Sequence, residues 1–176
     1  MTRFHGMALL LASLICLAGV SNAQTVCGKS LSTIDCVAAQ LEIQNLVAQM
    51  LIYYDHQDYD HMMALFTEDA YYSSPTRGDH KGRADIRKAM ADRPATRLTR
   101  HIVSNLVLNV LDATNAEGSS YVTGYLSDQG WPFKKEVPQE GPPAVGDYRF
   151  KFKKVGGAWK ISEKITQPVF SGIILK

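Results

Sequence analysis

Apolar positions in the first part of this chain recur at helical spacing. Ile43, Val47, Met50, Leu51 and Tyr54 form one stripe of a segment free of Gly and Pro, which predicts a long helix from Val37 to about Gln57. Ser32, Thr33 or Asp35 could cap its start. A short second helix is expected from Tyr59 to Phe66, with Tyr59, Met62, Met63 and Phe66 on one side, and Thr67-Glu68-Asp69 breaks it. Ala70 to Ser74 reads as a first short strand. Pro75 to Gly82 reads as a turn-rich loop with Gly78 and Gly82 at positive φ. Arg83 to Arg93 is a third helix that buries Ile86, Ala89 and Met90 and stops at Pro94.

Beyond Pro94 the period changes from helical to alternating. Leu98 to Leu111, Gly118 to Ser127, Asp147 to Val155 and Ala158 to Phe170 read as strands, with Asn115 and Gly156-Gly157 as hairpin signals. Asp128 to Gly146 gathers Gly130, Pro132, Pro138, Gly141, Pro142 and Pro143 and reads as a long lid or binding loop. Trp131 and Phe133 within it should pack against something apolar, so Trp131 is a candidate ligand contact. Helices first and strands afterwards give an α+β fold: an antiparallel sheet wrapped around the long helix, its concave side facing that helix.

Composition limits the rest. With 176 residues, 45% hydrophobic and 20% charged, the chain holds one domain with a substantial core rather than two. The 19 Lys and Arg against 17 Asp and Glu form no basic run, so nothing points to a nucleic-acid partner. Arg3, the apolar run Met7 to Val20 and the small residues of Ser21-Asn22-Ala23 read as a signal peptide over residues 1–23. The expected layout is that leader, an arm over 24–36 beginning at Gln24, and a domain over 37–176. The expected location is exported, in a periplasm or outside the cell, with no membrane contact once the leader is removed. Loss of Arg3 would bring the formal charge from +2 to about +1. Cys16 leaves with the leader, and Cys27 and Cys36 remain as a pair. In an oxidising compartment the expectation for that pair is a disulfide, the alternative being two free thiols.

The candidate chemistry centres on Asp55, one turn beyond Leu51 on the border of the apolar stripe. A carboxylate there needs a partner, because burying a bare charge is expensive. The first long strand supplies one. Strict alternation puts His101, Val103, Asn105 and Val107 on one face, and Ile102, Ser104, Leu106 and Leu108 on the other. Both faces carry apolar residues, which fits a sheet covered by helix on one side and by a second subunit on the other. An Asp55 carboxylate accepting from one ring nitrogen of His101 would fix the tautomer and make the other nitrogen a general base. Tyr54, Tyr72 and Asn105 could then polarise a carbonyl or hold an enolate-like oxygen. A satisfied structural histidine is the plainer alternative. The acidic and His residues from Asp55 to His61 read as a solvated helix corner rather than a metal site.

Several motifs carry a resemblance. Ile43-x-x-Leu46, Tyr54-Asp55, Asp58-Tyr59-Asp60, Leu65-Phe66-Thr67-Glu68-Asp69-Ala70, Gly82-Arg83, Thr99-Arg100-His101-x-x-x-Asn105 and Gly157-Ala158-Trp159-Lys160-Ile161 occur in an order that resembles the SnoaL-like group. That group belongs to the nuclear transport factor 2-like superfamily, and the match spans roughly Val37 to Phe170. The resemblance implies a cone-shaped fold, with three N-terminal helices in the hollow of a curved, mostly antiparallel sheet, often a homodimer or higher homo-oligomer. Tyr54-Asp55 and Thr99-Arg100-His101 resemble the corresponding motifs of scytalone dehydratase and of hexachlorocyclohexane dehydrochlorinase. By that resemblance the chain would be a lyase or isomerase needing no cofactor or metal, acting on a small hydrophobic molecule, with Asp55 orienting His101. The dehydratase uses a second His on a later strand, and no His follows His101 here. A cation lines the dehydrochlorinase site, a role that Arg149 or Lys151 could fill. A non-catalytic binder of a small apolar ligand and a dimerisation module are the alternatives.

Overall fold

The computed structural model of the protein describes residues 27–170. The expected leader and the expected start at Gln24 lie outside the described residues. Helix α1 (Thr33–Asp55) opens where Ser32 Oγ accepts from the Asp35 amide at 3.1 Å, a side-chain cap for an otherwise unpaired helix N–H. It therefore begins four residues before the expected Val37. The disulfide between Cys27 and Cys36 ties the incoming arm to its first turn. The arm also touches the sheet, with the Gly28 amide donating to Val110 O at 2.7 Å.

The far end of α1 is closed tightly. The Gln57 amide donates to Tyr54 O at 3.1 Å and the Asp58 amide to Tyr53 O at 2.9 Å, the paired pattern of a Schellman cap. The left-handed residue of that cap is Gln57, at φ 58° where glycine is usual. Its side-chain amide donates to Ala95 O and Arg97 O at 3.3 and 3.0 Å, which offsets the strain and ties the helix end to the approach of the next long strand. Helix α2 (Tyr59–Ala64) follows, capped by Asp58.

Strand β1 (Phe66–Ser74) starts where the sequence suggested a helix break, because Thr67-Glu68-Asp69 is a stretch of irregular strand. A register shift between Phe66 and Tyr71 disturbs the alternation that would have marked it. Strand β2 (Gly78–Lys81) is a short edge strand inside the expected loop, and helix α3 (Arg83–Ala91) buries Ile86, Ala89 and Met90. Strands β3 (Leu98–Val110), β4 (Asn115–Ser127), β5 (Ala144–Val155) and β6 (Ala158–Phe170) complete the sheet. Between β5 and β6, Gly156 and Gly157 both sit at positive φ, 59° and 83°, as a two-residue type I′ hairpin requires.

The six strands lie in the order β2-β1-β6-β5-β4-β3. All neighbours are antiparallel except β1 and β6. The sheet is curved and open, and the helices fill its hollow. Ile43, Met50, Met62, Phe66, Ile86, Met90, Phe152 and Ile161 are almost wholly buried between the layers.

Two long strands carry an extra residue beside the site, and β6 carries a second, Val169, where Gly146 pairs with Pro168 and Val145 with Phe170. In β3, Ser104 pairs with Tyr121 and Val107 with Ser119, so three steps on β3 match two on β4. Asn105, at φ 53°, takes up the surplus; Asn is among the few L-residues that tolerate this region. In β6, Ile161 pairs with Phe152 and Glu163 with Lys151, which leaves Ser162 as the surplus residue. Each bulge inverts which side chains face the hollow beyond it.

Candidate active site

Asp55 is the last residue of α1 and is only 4% exposed. Its Oδ1 accepts from Thr99 Oγ1 at 2.7 Å and lies 2.6 Å from His101 Nδ1, while Oδ2 accepts from the His101 amide at 2.8 Å. Burial works against ionisation of this carboxyl. The hydrogen bond and charge of His101, with the bond from Thr99, outweigh it and hold the group below its ordinary range. The carboxylate is therefore the acceptor, and the proton of the contact sits on Nδ1. Nε2 makes no hydrogen bond to a described residue.

The surroundings hold this pair in place. Thr99 and His101 lie on the inward face of β3 ahead of the bulge. Thr99 Oγ1 accepts from Arg93 Nη2 at 2.8 Å, so its own proton is directed at Asp55. Arg93 Nη1 donates to Tyr54 O at 3.0 Å, and its guanidinium lies 4.9 Å from the Tyr54 ring centroid. The Tyr54 ring meets the imidazole edge-on, with centroids 5.2 Å apart. Opposite His101 on β4 stands Gly124, where a Cβ would lie 3.6 Å from Nε2. A longer side chain there would extend over the nitrogen.

His101 forms part of the wall of a cavity of about 670 Å³ between helices and sheet, shared with Tyr54, Tyr72, Tyr148, Arg93 and Lys164. Met50, Leu51, Met62 and Val122 make its apolar side. Burial raises the Tyr72 and Tyr148 phenols well above their usual range, so both stay protonated at any ordinary pH. Lys164 is 4% exposed. Its Nζ donates to Thr166 Oγ1 at 2.6 Å and lies 3.9 and 4.7 Å from the centroids of Tyr148 and Tyr72. Desolvation lowers this amine to about 7.

Asp55, His101, Tyr54 and Tyr72 thus meet at one cavity, and three other candidates do not reach it. Asn105 is the bulge residue and lies on the outer face of the sheet, beside Val107 and Tyr121. Arg149 lies on that outer face as well, with Nη2 donating to Gln167 Oε1 at 2.8 Å, and Lys151 there pairs with Glu163. Neither reaches the cavity; Lys164 does, placed there by the β6 bulge. Trp131 packs beside His56 with centroids 5.6 Å apart, and its amide donates to Thr96 O at 3.0 Å, so it braces the loop rather than lining the cavity. Reading the sequence alone passes over Arg93 and Tyr148, and names Thr99 only within the Thr99-Arg100-His101 motif, without a role. Thr99 shares the parity of His101 and could have been found from that; Arg93 and Lys164 carry no such signal. At the helix corner, His61 pairs with Asp58 and Asp60 with Arg87. No group of three His, Cys, Asp or Glu suited to a metal occurs among the described residues.

No curated protein sequence matches the chain. Among solved structures, a candidate scytalone dehydratase from Novosphingobium aromaticivorans is 21% identical with a TM-score of 0.68, covering 82% of this chain and 94% of its own. A hexachlorocyclohexane dehydrochlorinase, LinA type 3, from Novosphingobium barchaimii is 19% identical with a TM-score of 0.65, covering 82% and 97%. A protein of unknown function from Nostoc punctiforme is 21% identical with a TM-score of 0.64, covering 83% and 99%. At such identities the likeness is one of fold, the nuclear transport factor 2-like fold. The family model described as SnoaL-like domain matches residues 36–164, from the second cysteine of the disulfide to the cavity lysine, and the chain belongs to the SnoaL-like domain family.

Proposed function

We propose that this protein is a cofactor-independent lyase or isomerase in which His101 removes a proton from carbon and Asp55 orients and stabilises it. The observation that carries this reading is the 2.6 Å contact of Asp55 Oδ1 with His101 Nδ1, in a cavity wall where Nε2 has no described partner. In the step itself, the Nε2 lone pair takes a proton from a carbon beside an activating group. The C–H electron pair becomes the π bond, and a leaving group on the next carbon departs with its own pair. In an isomerisation the proton is instead returned at another carbon. The adjacent carboxylate stabilises the imidazolium so formed. With no histidine after His101, a phenol such as Tyr54 or a bound water takes the part of the acid.

The fold shared with a dehydratase-like and a dehydrochlorinase structure supports this class of reaction. The Cys27–Cys36 disulfide supports an oxidising, exported location. The exposed outer-face residues Ile102, Val107 and Tyr121 support self-association through that side of the sheet.

The test uses weak carbon acids, a panel of cyclic ketones, halogenated cyclohexanes and ring-bearing keto acids, incubated with the protein in D₂O and followed by NMR. Deuterium wash-in or elimination is expected with the wild type and is expected to vanish in His101→Gln of unchanged circular dichroism. Wild-type inactivity across the panel, or undiminished exchange in the variant, would count against the reading. A binder without turnover has the absent second histidine in its favour, and would show up as ligand-induced stabilisation with no exchange.

A further inference from the structure

The cavity holds more positive charge than its own carboxylates balance. Arg77, Arg93, Arg97 and Lys164 reach its wall, with Asp55 and Asp92 as the acidic groups. Arg97 is already paired with Asp128, and Asp55 is committed to His101. Arg77, Arg93 and Lys164 have no carboxylate in ion-pair reach among the described residues. Arg93, 5% exposed, donates only to neutral acceptors: Tyr54 O, Arg97 O and Thr99 Oγ1. Among the described residues Lys164 makes one hydrogen bond, to Thr166, from a group with three N–H donors.

A buried cation without an anion is costly, and removing one member of a buried pair is more so. Structural reasons for keeping one are weak here. Lys164 lies over the rings of Tyr72 on β1 and Tyr148 on β5, which attract its charge without neutralising it, and a methionine would fill the same space. The arrangement makes sense when a ligand brings the missing charge. An ammonium on a buried wall, with donors left over, is a seat for an oxyanion.

We propose that the occupant of this cavity is a small organic acid: an apolar or aromatic ring body bearing one carboxylate or equivalent anionic group. The anionic group sits against Lys164, and the ring lies along Met50, Leu51, Met62 and Val122. The inference rests on reading this cavity as the substrate site and narrows the substrate class. It selects ring acids over the neutral ketones and halogenated rings that the proton-transfer chemistry alone would accept.

Two fluorescent probes with the same ring system separate charge from shape. 8-Anilinonaphthalene-1-sulfonate carries an anion, and N-phenyl-1-naphthylamine does not. The wild type is expected to bind the sulfonate about tenfold more tightly than the neutral probe, the scale of one charge-assisted hydrogen bond. Lys164→Met is expected to erase that preference while leaving the neutral probe's affinity unchanged. His101→Gln is expected to keep it, so the charge selection stands or falls apart from the proton-transfer reading. Equal or tighter binding of the neutral probe by the wild type, a preference that survives in Lys164→Met, or no binding of either probe would overturn the proposal.

Discussion

At its bulge, strand β3 loses a polar side chain from the cavity, whereas β6 gains one. Both strands run 13 residues and both carry a surplus residue beside the cavity, β6 having a second at Val169 near its end. On β3 the surplus follows the chemistry. Thr99, His101 and Val103 keep their inward parity, Asn105 is expelled, and Leu106, Leu108 and Val110 turn in to seal the core. On β6 it precedes the chemistry. Trp159 and Ile161 pack in the core, Ser162 absorbs the extra step, and Lys164 and Thr166 turn into a cavity they would otherwise have faced away from. The same local defect is thus used once to end a functional face and once to begin one. A bulge adds no chemistry itself; it decides which residue types reach the site.

The sharpest break of this comparison is on the β3 side, at the partner of His101. Asp55→Asn is expected to lower turnover or exchange by roughly 10²–10⁴-fold, since the amide can present a donor to Nδ1 and favour the wrong tautomer. Exchange rates by NMR, with ¹⁵N shifts of the ring to report the tautomer, check it. Stability should respond to acid as well. The Asp55 carboxyl is lowered in the fold, so its contribution is present above the ordinary value of 3.8 and is lost as pH falls through the lower, folded value. Urea titrations should therefore show the wild type losing more stability than the Asn variant below about pH 4.

On the β6 side the effect is energetic, with the opposite sign. The Lys164 amine is lowered from 10.5 to about 7, so the unfolded chain binds this proton more tightly between those values. The penalty of burying the charge is full below about pH 7 and fades as pH rises toward 10. Tyr72 and Tyr148, the titratable groups against it, remain neutral phenols across that window. Lys164→Met should stabilise the free protein at pH 6 by on the order of a few kcal/mol, with a gain that shrinks at pH 9. A gain independent of pH would place the cost in packing rather than in charge.

The smallest effect is at the β3 bulge. Asn105→Gly should leave stability unchanged or raise it by up to about 1 kcal/mol, because glycine adopts φ near 53° without strain. Asn105→Val should cost about 1–2 kcal/mol by the same argument. Neither should alter exchange more than about twofold, since the residue lies on the outer face. Thermal melts beside the exchange assay separate the two.

How far the site could be read from the sequence follows the regularity of the segments that carry it. Asp55 and His101 are 46 positions apart, yet each sits on an unbroken stretch, a helical stripe running to Tyr54 and a strand whose parity holds through Val103. Tyr54 and Tyr72 came with them. Asn105 was misplaced because an alternation count carried across a bulge assigns the wrong face, whereas Arg149 came from the resemblance alone, against the inward parity of Tyr148, Phe150 and Phe152 on its own strand. Lys164 was missed for the same reason that Asn105 was misplaced, since strict alternation from Trp159 and Ile161 puts it outside. Trp131 looked like a ligand contact on composition alone, but the closest ring to it is His56, on the helix corner.

Residue types and their local periods were enough to determine an α+β chain, its long helix, its hairpin at Gly156-Gly157, and the pairing of an inward carboxylate with an inward imidazole. Those properties depend on contacts a few residues apart, or on one face of one element. The composition of the cavity was decided only in the tertiary structure, since a strand gains a bulge in answer to its neighbours' register and the curvature of the whole sheet. A one-residue surplus is invisible in the amino-acid pattern. It moves every later side chain to the other face, and that is how Asn105 left the cavity and Lys164 entered it.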